Sequence, residues 1–471
     1  MKKGQLSIQL LIFVGVTIIL VSGFSIVSNS VLTISMRNLN KASAFYIAEA
    51  GIEYYRWHLA HAPTDYQDGT GNPGPYVHNY YDKNGNIIGA FTLEITPPLS
   101  GSTIVTIKST GNIASDPSVS KIIQVRMGKP SFAKYAWVLN DNVNFGSAAE
   151  VFGLIHSNAG LHFDGLGHNL ITSALTSYDD PDHTGAQEYS VHTHRSPVDP
   201  LPPTAMPSRP DVFAGGRQVS VPAVPFSGIT QDLSQIRIDA IANGFYAPSS
   251  TALGYDVLLK TNGTFDLYRV TALTNPPGGC SSPGGSSQSG WGTWGIQTET
   301  LINNYSYPAN GLMFLEDNIW VRGQVSSTRI LIASGRFPSD STTWSNININ
   351  NDILYSNYYG ADSIGLIAQK NINIGLFSED DLRIDAALIA QNGRFGRYSY
   401  SKSSCGSTRA RSLLTTFGII GTNVRAGLYY SSTNGYQARN YIYDTNLLYA
   451  PPPSFPLSSS QYVQISWDEV K

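Results

Sequence analysis

Leu10-Leu11-Ile12-Phe13-Val14-Gly15-Val16-Thr17-Ile18-Ile19-Leu20-Val21-Ser22-Gly23-Phe24-Ser25-Ile26-Val27 contains no charge and no proline. At a rise of about 1.5 Å per residue, an apolar helix of this length with neutral flanks reaches across a hydrocarbon core. Lys2, Lys3 and Gly4 precede it with no acid nearby. The positive-inside tendency then puts the N-terminus in the cytoplasm and everything after Ser28 outside. Beyond the apolar block, Val31, Ile34, Leu39, Ala42, Phe45, Ala48 and Ile52 recur at roughly helical steps, and the first proline is Pro63. One continuous helix is predicted over 1–60, membrane-spanning from about 6 to 30 and amphipathic afterwards. A secretory signal with cleavage at Ser28-Asn29-Ser30 is the alternative, but its apolar region would be shorter.

The Lys-Lys-Gly start, followed by Gln5-Leu6-Ser7-Ile8-Gln9, resembles a type IV prepilin leader. That resemblance implies cutting by a prepilin peptidase after Gly4, leaving Gln5 first. Ala44-Phe45-Tyr46-Ile47-Ala48-Glu49-Ala50-Gly51-Ile52-Glu53 is similar to the "AEAG" segment of PilX-type pilus assembly proteins, a family of minor pilins. Major pilins carry a glutamate at the fifth mature position, where its charge meets a neighbour's free amine in lipid. This chain has Gln9 there, and a neutral amide cannot make that ion pair. The resemblance therefore implies a minor subunit, at the tip as for the K-type minor pseudopilin. It would dock beside other pilins or pseudopilins, with Gln9, Glu49, Ala50 and Gly51 at the packing face.

The totals suit a β-rich protein outside the membrane. There are 471 residues, 44 of them glycine and 27 tyrosine, with helix formers scarce after the first segment. Length predicts two or three domains. A net charge of −3 with 13% charged residues supplies no basic field for nucleic acid. Cys280 and Cys405 both sit in glycine- and serine-rich stretches. In an oxidising compartment they suggest one disulfide, with a pair of free thiols as the alternative; they lack zinc-site spacing.

A small antiparallel head is expected over 61–130, with strands at Ala90–Thr96, Ile104–Ser109 and Lys121–Met127 covering the outer half of the helix. Asp82-Lys83-Asn84-Gly85-Asn86 fails as a calcium loop, because its glycine comes one position early and Leu93 holds the place of the last glutamate. An Asn-Gly hairpin turn fits better.

From 131 to 471 a short unit recurs: Gly153 to Gly165, Gly311 to Gly323, Gly365 to Gly375, Ala387 to Gly396 and Gly418 to Gly427. Asn346-Ile347-Asn348-Ile349-Asn350 and Asn371-Ile372-Asn373-Ile374 alternate apolar and amide side chains. The expectation is a parallel β-helix, or β-solenoid, with a β-sandwich as runner-up. Leu166 to Asn310 reads as an insertion. It holds a proline-rich stretch over 197–210, a short helix over Leu233–Ala242, a hairpin about Asn262-Gly263 and a Gly/Ser-rich loop from Pro276 to Gly295. Arg439-Asn440-Tyr441-Ile442-Tyr443-Asp444 and Ala450-Pro451-Pro452-Pro453-Ser454-Phe455-Pro456 resemble the "YD…PP.FP" finish of proteins that pair a PilX-type start with a repetitive β-region. The triple proline is expected to cap the last coil.

Two histidine groups invite a metal: His156, His162, Asp164 and His168; and Asp182, His183, His192 and His194. Neither has zinc-type spacing, so turn histidines and no metal or other cofactor are expected. Glu379-Asp380-Asp381 with Arg383 and Asp385 is the densest acidic run, read as a solvated turn. No catalytic signature is present. The sequence thus points to a non-enzymatic, pilin-like subunit of the cytoplasmic membrane. Its β-region would be displayed outside for assembly, tip capping or adhesion, with tyrosine-rich loops as candidate contacts for a surface glycan or protein. The alternative is an anchored β-helix enzyme or lectin acting on cell-surface polysaccharide, with the 379–381 acids as its candidate machinery.

Overall fold

The computed structural model describes residues 3–98, 103–224, 226–280, 294–448, 450–457 and 461–470. Lys2 and most of the expected loop over 276–295 lie outside them. Contacts divide the chain into two compact units, Met1–Pro98 with Ile104–Gly128 and Gln461–Lys471, and Leu99–Thr103 with Lys129–Ser460. The protein is mainly β, with large sheets and one long N-terminal apolar helix.

In the first unit, helix α1 spans Lys3–His61. By length and composition its apolar part is able to cross a membrane, and none of that part is buried within the chain. The inward face begins at Ala44 and continues through Ile47, Ala48, Gly51, Ile52, Tyr55 and Leu59, the three- and four-residue step of a packed helix. Val31, Ile34 and Leu39, expected on the same stripe, are more than half exposed at 56%, 60% and 61%. The packed stripe thus starts later than the sequence pattern suggests.

That stripe covers an antiparallel sheet of strands β1 (Tyr76–Tyr81), β2 (Ile87–Thr96), β3 (Val105–Ile113) and β4 (Asp116–Gly128), in sequence order. The β1–β2 turn is the hairpin that Asn84-Gly85 predicts. Gly85 sits at φ +85°, and the Asp82 carboxylate accepts the N–H groups of Asn84 and Asn86 at 2.8 and 2.9 Å. Gly111 of β3 allows the closest approach, because a Cβ there would lie 2.1 Å from the Ala44 carbonyl oxygen and 2.4 Å from the Ala48 nitrogen. The fifth strand corrects the sequence reading. Val463–Val470, assigned with the β-region, pairs antiparallel with β4, Trp467 opposite Val125. Lys121 pairs with Glu469, and the Trp467 ring meets Phe45 edge-on at 5.8 Å. A strand with Val463, Ile465 and Trp467 gains ladder bonds and an aromatic partner on this edge.

The second unit is built on parallel ladders. In the longest, Met313, Ile332, Leu366, Leu388, Ile420, Trp137, Ile155 and Ile171 occupy successive rungs. All eight are at most 2% exposed, so alternate residues of each strand form one inward column. A second ladder runs through Val257, Val321, then Ile353, Ile384, Thr416, Tyr441 and Val151 on neighbouring strands. A third stacks Ile319, Ile347, Ile372 and Phe395. Inside it Asn373 donates to Asn348 Oδ1 at 3.1 Å, both side chains being buried. The alternating amides are therefore partly internal and bond along the stack, Asn348 in turn donating to the Ile319 carbonyl at 3.3 Å.

Stacking order departs from chain order. The rung after Ile420 is Trp137, so strands near 137–173 continue the ladder where strands near 410–443 leave it. The expected insertion over 166–310 is likewise no excursion. Leu166–Gly167, Ile171–Ser173, Arg217–Gln218, Phe245–Ala247 and Gly254–Leu259 all join the ladders. Only segments between them stand out. Helix α2 (Ser227–Asn243) ends at Gly244 and packs Leu233, Ile236 and Ala240 against the outer side of the longest ladder, beside Phe314, Leu331 and Ile367.

The proline-rich finish lies on that side too. Pro451, Pro452 and Pro453 are buried, and Arg329 donates to the carbonyls of Ala450 and Pro451 at 2.6 Å. Gly365 and Gly311 leave the space that Pro452 and Pro453 fill. The segment thus crosses the faces of neighbouring strands instead of capping an open edge. A triple proline can fill apolar space but offers no N–H to an edge.

Candidate functional site

Gly4 and Gln5 lie within α1, and Gln9 is exposed on it. Glu49 and Ala50 are half-buried. Gly51 is turned the other way from the expected packing face: a Cβ there would meet Ser109 Oγ at 2.3 Å and the Phe91 ring at 2.9 Å, so its smallness serves this chain's own sheet. The apolar side chains of α1 from Ile8 to Met36, including Leu10, Phe13, Ile19 and Phe24, are exposed, and contact with the chain's own sheet begins near Asn40, which bonds Asp116.

Cys280 and Cys405 form a disulfide closing a separation of 125 residues, with the Cys405 side packed on Leu376 and Tyr400.

The histidines fall differently from their sequence grouping. Strands Val143–Phe145, Leu161–Phe163 and Val191–His192 make a short parallel ladder. Leu161, Phe163 and Val191 point into the core, so alternation puts His162 and His192 together on the other face. They are adjacent rungs, with ring centroids 4.9 Å apart. The ribbon of Ser177–Tyr178 and Glu188–Tyr189 and its loop bring Asp180, His183 and Glu188 over them, and His194 follows two residues after His192. Asp180 Oδ2 lies 3.1 Å from His162 Nδ1, 3.1 Å from His183 Nδ1 and 3.5 Å from His192 Nε2. His183 Nε2 and His194 Nδ1 are 2.9 Å apart. Asp164 holds the following turn, accepting from Thr193 Oγ1 and the N–H groups of His194 and Arg195.

Burial pushes the imidazoles of His162 and His192 below the ordinary histidine value, which keeps them neutral near pH 7. Burial acts on Asp180 in the opposite sense, but the Asp182 N–H, His183 and the neighbouring imidazoles outweigh it and hold its carboxyl below the usual range. Neutral imidazoles beside an ionised carboxylate are the protonation states a metal ligand set requires. His156 and His168 stay apart. His156 bonds Thr172 and Asn158, while His168 pairs with Glu150 and stacks on Phe152. Sequence reasoning missed Asp180 and Glu188. The available signal was the pair Leu-His-Phe and Val-His-Thr-His, in which histidine alternates with core residues.

The acidic run is engaged in turn bonding. Asp380 accepts from Ser412 through both backbone N–H and Oγ, Glu379 accepts from Asn351, and Asp385 accepts from Arg383 and Tyr358. A different carboxylate pair lines a hollow of about 420 Å³ with Trp320, Asn348 and Asn350. Arg322 donates to both of its members, Asp256 at 3.0 Å and Glu299 at 3.2 Å. Asp256 is fully buried, and burial, helped by Glu299 and only partly opposed by Arg322, pushes its carboxyl up to about 7.

No family model and no curated protein matches the chain. Among solved structures, the competence-associated pilin ComZ from Thermus thermophilus is similar at 12% identity, over 92% of this chain and 97% of that one, with a TM-score of 0.33. A likeness of that size carries no argument about what this chain does.

Proposed function

We propose that the chain is a non-enzymatic, pilin-like minor subunit of the PilX type. In this reading prepilin peptidase cuts after Gly4, α1 enters the cytoplasmic membrane with its N-terminus inside, and the exposed apolar face packs against other pilins or pseudopilins. The second unit is then a β-solenoid displayed outside for assembly, tip capping or adhesion. One observation carries the reading: a single unbroken helix, Lys3–His61, is bare and apolar over its first part and packed on an antiparallel sheet over its last turns. A soluble core helix would bury that apolar surface, and a removable signal would not run on into the fold. Sheared filaments from producing cells test it. The protein should co-purify with the major pilin and disappear from the filament fraction when Phe13 and Ile19 are changed to Asp; an unchanged filament fraction would remove the helix-docking claim.

A second reading, action on surface polysaccharide, draws on the buried Asp256 beside Glu299. A carboxyl held protonated near neutrality next to a second carboxylate is the acid–base pair that glycoside hydrolysis uses. Reducing-end release from polysaccharides by the unmutated protein, lost in Glu299→Gln, would favour it over the structural role.

A further inference from the structure

The six clustered side chains of His162, Asp180, His183, Glu188, His192 and His194 have no assigned task in a pilin-like subunit. Four of their polar atoms are buried without a hydrogen-bond partner: both ring nitrogens of His162, His192 Nε2 and Glu188 Oε2. Each of these atoms lies 3.0 to 3.5 Å from another atom of the cluster or from Asp164. Close approach without hydrogen-bond geometry is unfavourable between lone pairs. At His192 the conflict is explicit. Its Nδ1 is 3.0 Å from the Tyr189 carbonyl oxygen, which can only accept, so Nδ1 carries the proton. The bare lone pair of Nε2 then faces Glu188 Oε2 at 3.0 Å and Asp180 Oδ2 at 3.5 Å.

We propose that this cluster binds a divalent transition-metal ion of the zinc class, with His162 Nδ1, His192 Nε2 and Asp180 Oδ2 as inner ligands and His183, Glu188 and His194 as the groups that complete the shell. A cation between His162 Nδ1, His192 Nε2 and the carboxylates of Asp180 and Glu188 turns their approaches into bonds, and metal on Nδ1 leaves the His162 proton on Nε2, the nitrogen that faces Asp164 at 3.1 Å. The spacing suits it: bonds of about 2.0–2.1 Å in a tetrahedral site put neighbouring donor atoms about 3.3 Å apart, and the observed separations are 3.1 and 3.5 Å. Four imidazoles with two carboxylates favour zinc, nickel or copper over calcium or magnesium, which take oxygen. The Tyr189 carbonyl on His192 Nδ1 and the Asp164 bonds to the 193–195 turn are the outer contacts that orient metal-bound histidines. His162 and His192 are 3% and 1% exposed, so the ion is enclosed by protein, and its role is to fasten the Ser177–Tyr189 excursion onto the ladder.

The test uses the full chain in detergent, stripped with chelator, loaded separately with zinc chloride and cobalt chloride, and passed through gel filtration. Metal per chain is measured by mass spectrometry, and the cobalt form by its visible spectrum. The expected result is about one ion per chain and a tetrahedral-type cobalt spectrum. Both should be lost in His192→Ala and in Asp180→Asn and retained in His168→Ala, which lies outside the cluster. Unmutated protein that holds neither metal, or His192→Ala that holds it undiminished while keeping the parent circular dichroism, would overturn the proposal. If the variants unfold, the cobalt spectrum of the unmutated protein decides: an octahedral, water-like spectrum overturns it.

Discussion

Trp137 stands directly on Ile420 in parallel register, so the first strand of the second unit continues the ladder that its late strands build. The indole is 1% exposed and meets Phe145 and Tyr441 edge-on at 5.3 and 5.0 Å. It joins two sequence-distant parts of one core. Trp137→Ala should cost about 3–5 kcal/mol. A lowered melting temperature in detergent, with the pairing-dependent circular dichroism lost in the same transition, is the expected result. Tyr359→Ala, at a side chain 92% exposed, should move it by less than about 0.5 kcal/mol.

Gly111 and Gly23 make a contrasting pair. A methyl group at Gly111 would strike the α1 backbone at Ala44 and Ala48, whereas Gly23 has nothing within 4 Å. Gly111→Ala should therefore destabilise the first unit by roughly 1–3 kcal/mol, as overpacking does, and increase proteolysis near Ala44. Gly23→Ala should leave the digestion pattern unchanged.

Asp256 gives the second unit a pH dependence of definite sign. Its folded-state carboxyl lies at about 7 against an ordinary value of 3.8, so between these values the folded state binds the extra proton. Stability from this group is highest below about pH 4, falls as pH rises to about 7, and is level above. Asp164 and Asp180, held low, act in the opposite sense but only below the ordinary carboxylate range. His162 and His192, held low by burial, act in the opposite sense over part of the same range, so the readout is the difference between two proteins: relative to Asp256→Asn, the parent's melting temperature should fall between about pH 5 and pH 7. An equal slope in both proteins would remove Asp256 as its source.

Cys280–Cys405 closes a loop across 125 residues, for which the chain-entropy model gives an upper contribution of about 5 kcal/mol. Replacing both cysteines by serine, or adding reductant, should lower the melting temperature of the second unit's transition. A transition indifferent to reductant would show that the bond does not restrain the unfolded chain.

Some of this was legible because it is local. The uncharged run Leu10–Val27 and the distance to Pro63 specify α1, and Asn84-Gly85 and Asn262-Gly263 specify their hairpins through the positive φ their glycines adopt. The alternation in Asn346–Asn350 marks strand residues with one face inward. What the sequence hid is register between distant segments. Nothing local to Trp137 says that Ile420 lies beneath it, and nothing local to Val463–Val470 says that it leaves the β-region for β4. The candidate metal centre was obscured for the same reason: His162 and His192 become neighbours only when their strands pair, and Asp180 and Glu188 arrive on the ribbon between them.

Whether α1 belongs to a pilin-like subunit is decided at its N-terminus. Intact mass and N-terminal sequence should be measured on protein from cells with and without prepilin peptidase, alongside Gly4→Ala. A pilin-like subunit yields a mature chain starting at methylated Gln5, absent in the peptidase-deficient cells and in the variant. An uncut chain in all three, or a cut near Ser30, would contradict that assignment.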